Sequence, residues 1–180
     1  LAPSVYLGVV PVTFDGTQSQ AAPGAQYFWT FGDDVVLHAS ELTITGARWE
    51  RVADASAASG EAVVNADWQE PKISTALTTP SSYVEATFHA AAGVPYKVWV
   101  RMRAGGDAWT NDSVYVQFSG SLNRWGTAKH RIGTTSAMRV SLEEGTGAGL
   151  SGWGWNDGNY GSLDGTIYFN TDGEQRIRIQ

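Results

Sequence analysis

The sequence predicts an all-β protein built as a sandwich or barrel. Many short runs of β-branched and aromatic residues are separated by turn residues, helical periodicity is almost absent, and the longest runs alternate with a period of two. The alternation is clearest in Tyr96–Arg103, where Tyr96, Val98, Val100 and Met102 share one face and Lys97, Trp99, Arg101 and Arg103 the other. Val114, Val116 and Phe118 repeat the pattern, as do Ile177 and Ile179 between Arg176, Arg178 and Gln180. Each such strand buries one face.

In chain order, Val5–Val12 and Gln26–Phe31 read as strands on either side of the Asp15–Gly24 loop, the pattern of a hairpin. Strand candidates then follow at Val35–Ala39, Arg48–Val52, Ala62–Val64, Tyr83–His89, Tyr96–Arg103, Ser113–Phe118, Ala137–Leu142, Thr166–Asn170 and Arg176–Gln180. The Ala-rich piece Asp54–Ala66 suits a helical turn or a loop. No internal repeat is present.

At 180 residues the chain is long enough for one well-buried core, and two full domains would be tight. The net charge of −6 and the lack of any basic run argue against nucleic acid or an anionic membrane as partner, and neutral ligands suit the chain better. The absence of cysteine removes disulfides and thiolate metal sites and leaves the redox compartment open. No run of about 18 apolar residues marks a membrane span. A first residue of Leu1 rather than Met fits a processed mature chain or a fragment, and with it secretion.

Catalytic and cofactor motifs fail on context. Gly147-Ala-Gly149-Leu-Ser-Gly152 has the spacing of a dinucleotide fingerprint, but a Trp-rich stretch follows where a helix is required. Trp153 occupies the final glycine position of the pattern around a nucleophilic Ser151. His38, His89 and His130 lie far apart, and Glu143 and Glu144 would point to opposite sides of a strand. The Asp157–Asp164 loop offers oxygen ligands but has Tyr168 where a calcium-binding hand needs its terminal Glu. A distant carboxylate pair such as Asp112 with Asp157 is not excluded by sequence, yet no catalytic constellation is visible. The chain therefore reads as a non-enzyme without a cofactor.

What the sequence does offer is aromatic rings among glycines and short polar side chains. Trp109, Trp125, Trp153 and Trp155 flank Gly, Asn or Asp, and Tyr160 closes the Gly149–Gly161 stretch. Sugar recognition needs that combination, an apolar ring face for pyranose C–H groups and amides or carboxylates for the hydroxyls. Candidate ligand-binding residues are Trp109, Asn111, Asp112, Trp125, Trp153, Trp155, Asn156 and Tyr160. Competing readings stand beside them. Asn111-Asp-Ser113 is also a glycosylation sequon, Asp112 and Ser113 suit a turn cap, and Trp153 and Trp155, two apart, would share a face that belongs either to a ligand or to the core. Trp49 and Trp99 read as packing residues, with Trp29 and Trp68 open.

Several of these motifs occur in a familiar order. A first strand Val35-Val-Leu-His-Ala, the strand Tyr96–Ala104, the tract Trp109-Thr-Asn-Asp-Ser-Val-Tyr-Val-Gln-Phe-Ser, the tract Gly152-Trp-Gly-Trp-Asn-Asp and the ending Gln175-Arg-Ile-Arg-Ile together resemble carbohydrate-binding modules of the family 6 and 35 type. The resemblance covers about residues 35–180. It implies a galactose-binding-like jelly-roll β-sandwich, secreted, non-catalytic and binding polysaccharide in loops at one edge, with Trp109, Asn111 and Trp155 the best-matching contacts. Residues 1–34 read as an N-terminal strand extension or as a partial polycystic-kidney-disease-type (PKD) segment, which about residues 12–34 (Val12-Thr-Phe-Asp-Gly and Tyr27-Phe-Trp-Thr-Phe-Gly-Asp-Asp) resemble.

Two departures from the modules qualify the expectation. Such modules carry an acidic residue in the first strand that helps hold a structural calcium, whereas here Ser40 follows Val35-Val-Leu-His-Ala, which leaves that calcium open. They also continue past Ile-Arg-Ile into one more strand. The slot that strand would fill can be taken by the N-terminal strands of the same chain, or by those of a neighbour. In the second case copies of the chain link into a homo-oligomer, and the alternative function is a structural subunit of an extracellular filament or matrix.

Overall fold

The computed structural model describes residues 4–6, 35–65, 72–143, 151–159 and 165–180. The expected strand Val5–Val12 beyond Tyr6, the strand Gln26–Phe31, the PKD-like stretch, Trp29, Trp68 and Tyr160 lie outside these residues.

Thirteen strands follow one another among the described residues: β1 Ser4–Tyr6, β2 Val35–Val36, β3 Thr43–Thr45, β4 Trp49–Ala53, β5 Glu61–Asn65, β6 Tyr83–Ala90, β7 Tyr96–Val98, β8 Val100–Arg103, β9 Ser113–Phe118, β10 Met138–Ser141, β11 Trp153–Asn156, β12 Thr166–Ile167 and β13 Gly173–Ile179. The described helical pieces are three-residue 3-10 turns, at Ala39–Glu41, Gly105–Asp107 and Trp109–Asn111. Strands make up 45% of the described residues, and the chain is an all-β sandwich.

One layer is a five-stranded sheet in the order β10-β9-β13-β6-β3, antiparallel at every step. Its inner face carries Val84, Ala86 and Phe88 from β6, Ile177 and Ile179 from β13, Val116 and Phe118 from β9, and Met138 and Val140 from β10. The facing layer is interrupted. It consists of a four-stranded piece, β12-β7-β1-β2, and two pairs, β11-β8 and β4-β5. Tyr96, Val98 and Val100 bury against the five-stranded sheet as the alternation requires, and Phe169 joins Phe88, Phe118 and Tyr96 in edge-to-face contacts with centroids 5.7–6.4 Å apart. The Tyr96 hydroxyl, drawn into this cluster, accepts a hydrogen bond from the Ala91 amide at 2.8 Å.

Two strands escaped the pattern reading. β3 is too short to show a period, and β11 reads as a loop because Gly154 separates its rings, yet it pairs with β8 along its whole length. The Asp54–Gly60 stretch forms turns, after which Glu61–Asn65 joins β4 as a hairpin arm. β1 lies between β2 and β7 and runs parallel to both.

On the outer face of the five-stranded sheet Gln117 is buried, its amide donating to the carbonyls of Arg131, Thr134 and Ser136 and so holding the loop before β10. Beside it Arg178 pairs with Glu85, its direct cross-strand neighbour, at 2.7 Å, and stacks on Tyr83.

Candidate functional site

The interruption of the second layer leaves a cleft of about 880 Å³ between the β4–β5 hairpin, the β8–β11 pair and the turns that lead into β9. Cross-strand register explains one wall. Trp153 lies directly opposite Arg103, and Trp155 opposite Arg101, so all four side chains occupy the same side of the pair, away from the core side taken by Val100. The face shared by the two tryptophans is thus the outer one.

Trp153 is already engaged there. The guanidinium carbons of Arg101 and Arg103 sit 4.6 and 5.0 Å from its ring centroid, and its indole N–H donates to Ser56 Oγ at 2.9 Å. Ser56 Oγ donates in turn to Asp54, which also accepts from the Ser56 amide at 2.9 Å and from Arg103 at 3.1 Å. The two hydrogen bonds from Ser56, followed by the Arg103 charge, hold the Asp54 carboxyl below its ordinary carboxylate range. The turn after β4 is thereby clasped to β8 and β11. Trp155, half-buried, is a partner in the same pair of strands but does not line the cleft.

A second wall includes Thr110 and Asn111, which follow Trp109 in the turn Trp109–Asn111. Trp109 is 62% exposed, with the Lys72 ammonium 5.8 Å from its ring centroid, and the next two residues, Thr110 and Asn111, line the cleft. Asn111 donates one amide N–H to Gly105 O at 3.2 Å, which fixes the turn against the preceding one. Although the whole chain is acidic, the cleft lining carries Arg48, Lys72, Arg101 and Arg103 against Glu61 and Asp107.

Other candidate residues lie elsewhere or have structural partners. Asp112 is buried, and its carboxylate accepts from Ser141 Oγ at 2.6 Å and from the Glu143 amide at 3.3 Å. Asn156 is buried too. Its amide donates to the Ser141 carbonyl, and its Oδ1 accepts from the Asp157 and Gly158 amides. Both side chains converge on Ser141 and tie β9, β10 and β11 together. Asp157 forms an ion pair with Lys97 at 2.6 Å.

Trp125 is the most exposed tryptophan described, at 73%, on a turn organised by Asn123, whose Oδ1 accepts from the amides of Trp125 and Thr127. This turn follows the far end of β9 from Trp109, and the strand between them spans about 17 Å. The structure therefore separates Trp125 from the cleft.

Asp54, Ser56, Arg101 and Arg103 were not legible as site residues. The alternation places both arginines outside the core, but their meeting with Trp153 depends on the β8–β11 register. Glu41, in the turn that follows the first strand, accepts from the His38 amide at 2.6 Å, and no group of three described His, Cys, Asp or Glu side chains could hold a metal ion. No helix among the described residues is long and apolar enough to cross a membrane.

No protein family, curated protein or solved structure matches the chain.

Proposed function

We propose that this protein is a non-catalytic carbohydrate-binding sandwich of the jelly-roll type, secreted and binding polysaccharide through the cleft beside Trp109. The observation that carries the reading is an exposed indole whose sequence neighbours Thr110 and Asn111 line an 880 Å³ cleft. Trp109, beside the lining residue Lys72, supplies a ring for stacking on a pyranose face, and Asn111, Glu61 and Asp107 supply polar groups in the adjoining cleft. Trp153 acts as a buttress rather than a platform, because two guanidinium groups already stack on it. The ordered resemblance of residues 35–180 to family 6 and 35 carbohydrate-binding modules supports the same class of ligand.

Affinity electrophoresis through gels containing neutral or uronate-bearing polysaccharides tests the reading. Retardation by at least one polysaccharide is expected, with Trp109→Ala weakening it about tenfold, the upper range for one aromatic contact. Trp125→Ala is expected to leave it unchanged, since that turn lies at the other end of β9. Absence of retardation in every gel, or equal retardation of Trp109→Ala and the unaltered chain, overturns the proposal.

A further inference from the structure

We infer that the seat between β2 and β7 takes the β1 strand of a second copy of this chain as well as its own. β1 is inserted between its neighbours rather than laid on an edge, with Ser4 and Val5 opposite Lys97 and Val98 on one side, and Val5 and Tyr6 opposite Val35 and Val36 on the other. Among the described residues β1 is also the strand that attaches β2 to its sheet, so the seat must be filled for β2 to pair. The contacts that define the seat are main-chain ladders, and an identical strand from another copy makes the same ladders.

The number of residues between β1 and β2 does not require β1 to stay in its own sandwich. Tyr6 and Val35 are separated by the 28 residues 7–34, whereas parallel neighbours need a crossover of only about a dozen residues. A contour of that length measures at most about 100 Å, enough to reach an adjacent molecule. β1 is not part of the five-stranded sheet, so its exchange opens two short ladders and leaves the antiparallel ladders of that sheet in place. Reciprocal exchange closes a dimer, and one-way exchange propagates a row of copies.

The chain has no cysteine, which makes the test direct. Val5 and Val35 are register partners on adjacent strands, a spacing that a disulfide spans. Val5→Cys and Val35→Cys variants of the 180-residue chain are mixed, oxidised and run on a non-reducing gel, beside each variant alone and the double variant. A species of twice the 19.3 kDa chain mass in the mixture, absent from either variant alone and increasing with protein concentration, is expected. Its absence overturns the inference, whether or not the double variant closes its internal bond. A fluorescent peptide of residues 1–12 added to the unaltered chain gives a second reading that needs no substitution: uptake is expected, and none at any concentration overturns exchange. Neither experiment involves a glycan, so each separates this inference from the proposed function.

Discussion

The two layers of the sandwich are built on different terms. In the five-stranded sheet β13 pairs with β6 over seven consecutive residues and with β9 on its other side, and the buried apolar residues alternate along each strand. In the facing layer the paired pieces are two to five residues long, and side chains hold much of it: the Asn156 amide that reaches Ser141 of β10, the Lys97–Asp157 ion pair and the Arg–Trp153 stack. Ladder and burial fix the first layer along its strands. The second is fixed at a few points, and the space between those points is the cleft.

If that contrast is right, substitutions should separate the layers by size of effect. The largest belongs to the continuous sheet and its core. Phe118→Ala removes a fully buried ring that contacts Phe88 and Phe169 edge-on, and a loss of about 3–5 kcal/mol is expected in urea denaturation, with the whole protein unfolding earlier. Asp112→Ala acts where side chains, rather than a ladder, join the ends of β9 and β10 to β11 of the second layer. It leaves Ser141 Oγ and the Glu143 amide without their acceptor, so a loss of about 1–3 kcal/mol is expected, with Asp112→Asn restoring part of it through the remaining amide oxygen. A cost for Asp112→Ala as large as that for Phe118→Ala would erase the distinction.

The smallest effect concerns the clasp on Trp153. Because the Asp54 carboxyl titrates lower in the folded chain than in the unfolded one, its contribution is complete above the unfolded value near 3.8 and is lost as pH falls through the lower folded value. Tryptophan fluorescence followed from about pH 6 to about pH 2 should show a step in that acid range from release of Ser56 and Arg103, and Asp54→Asn should abolish the step. A step that persists in Asp54→Asn would assign it to another carboxylate and remove the clasp from the account of the second layer.

The segment Tyr96–Arg103 shows how much of the molecule was readable from sequence. Its alternation alone sorts Tyr96, Val98 and Val100 to the core and Arg101 and Arg103 to the outside, because successive strand side chains point to opposite faces wherever the strand pairs. The same logic carried Val116, Phe118, Ile177 and Ile179. Even the separation of Trp109 from Trp125 was within reach, since the two flank a predicted strand and so sit at its opposite ends.

Other features had no local signal. Asn156 and Asp112 fit a polar, sugar-facing pattern equally well by composition, and only the arrival of Ser141, 15 and 29 residues away in sequence, turns both inward. Trp153 sits among glycines as an exposed ring would, and becomes a buttress only through its register opposite Arg103 and the turn at Ser56.

The sequence by itself determined that the chain is all-β, and which face of each long strand is buried, because a period of two is a local property of extended backbone and the hydrophobic effect acts on it residue by residue. The tertiary structure decided which strands are neighbours, where the second layer breaks, and therefore which polar and aromatic side chains meet at the cleft. Those outcomes depend on pairing between residues distant in the chain, whose partners are fixed only when the layers pack.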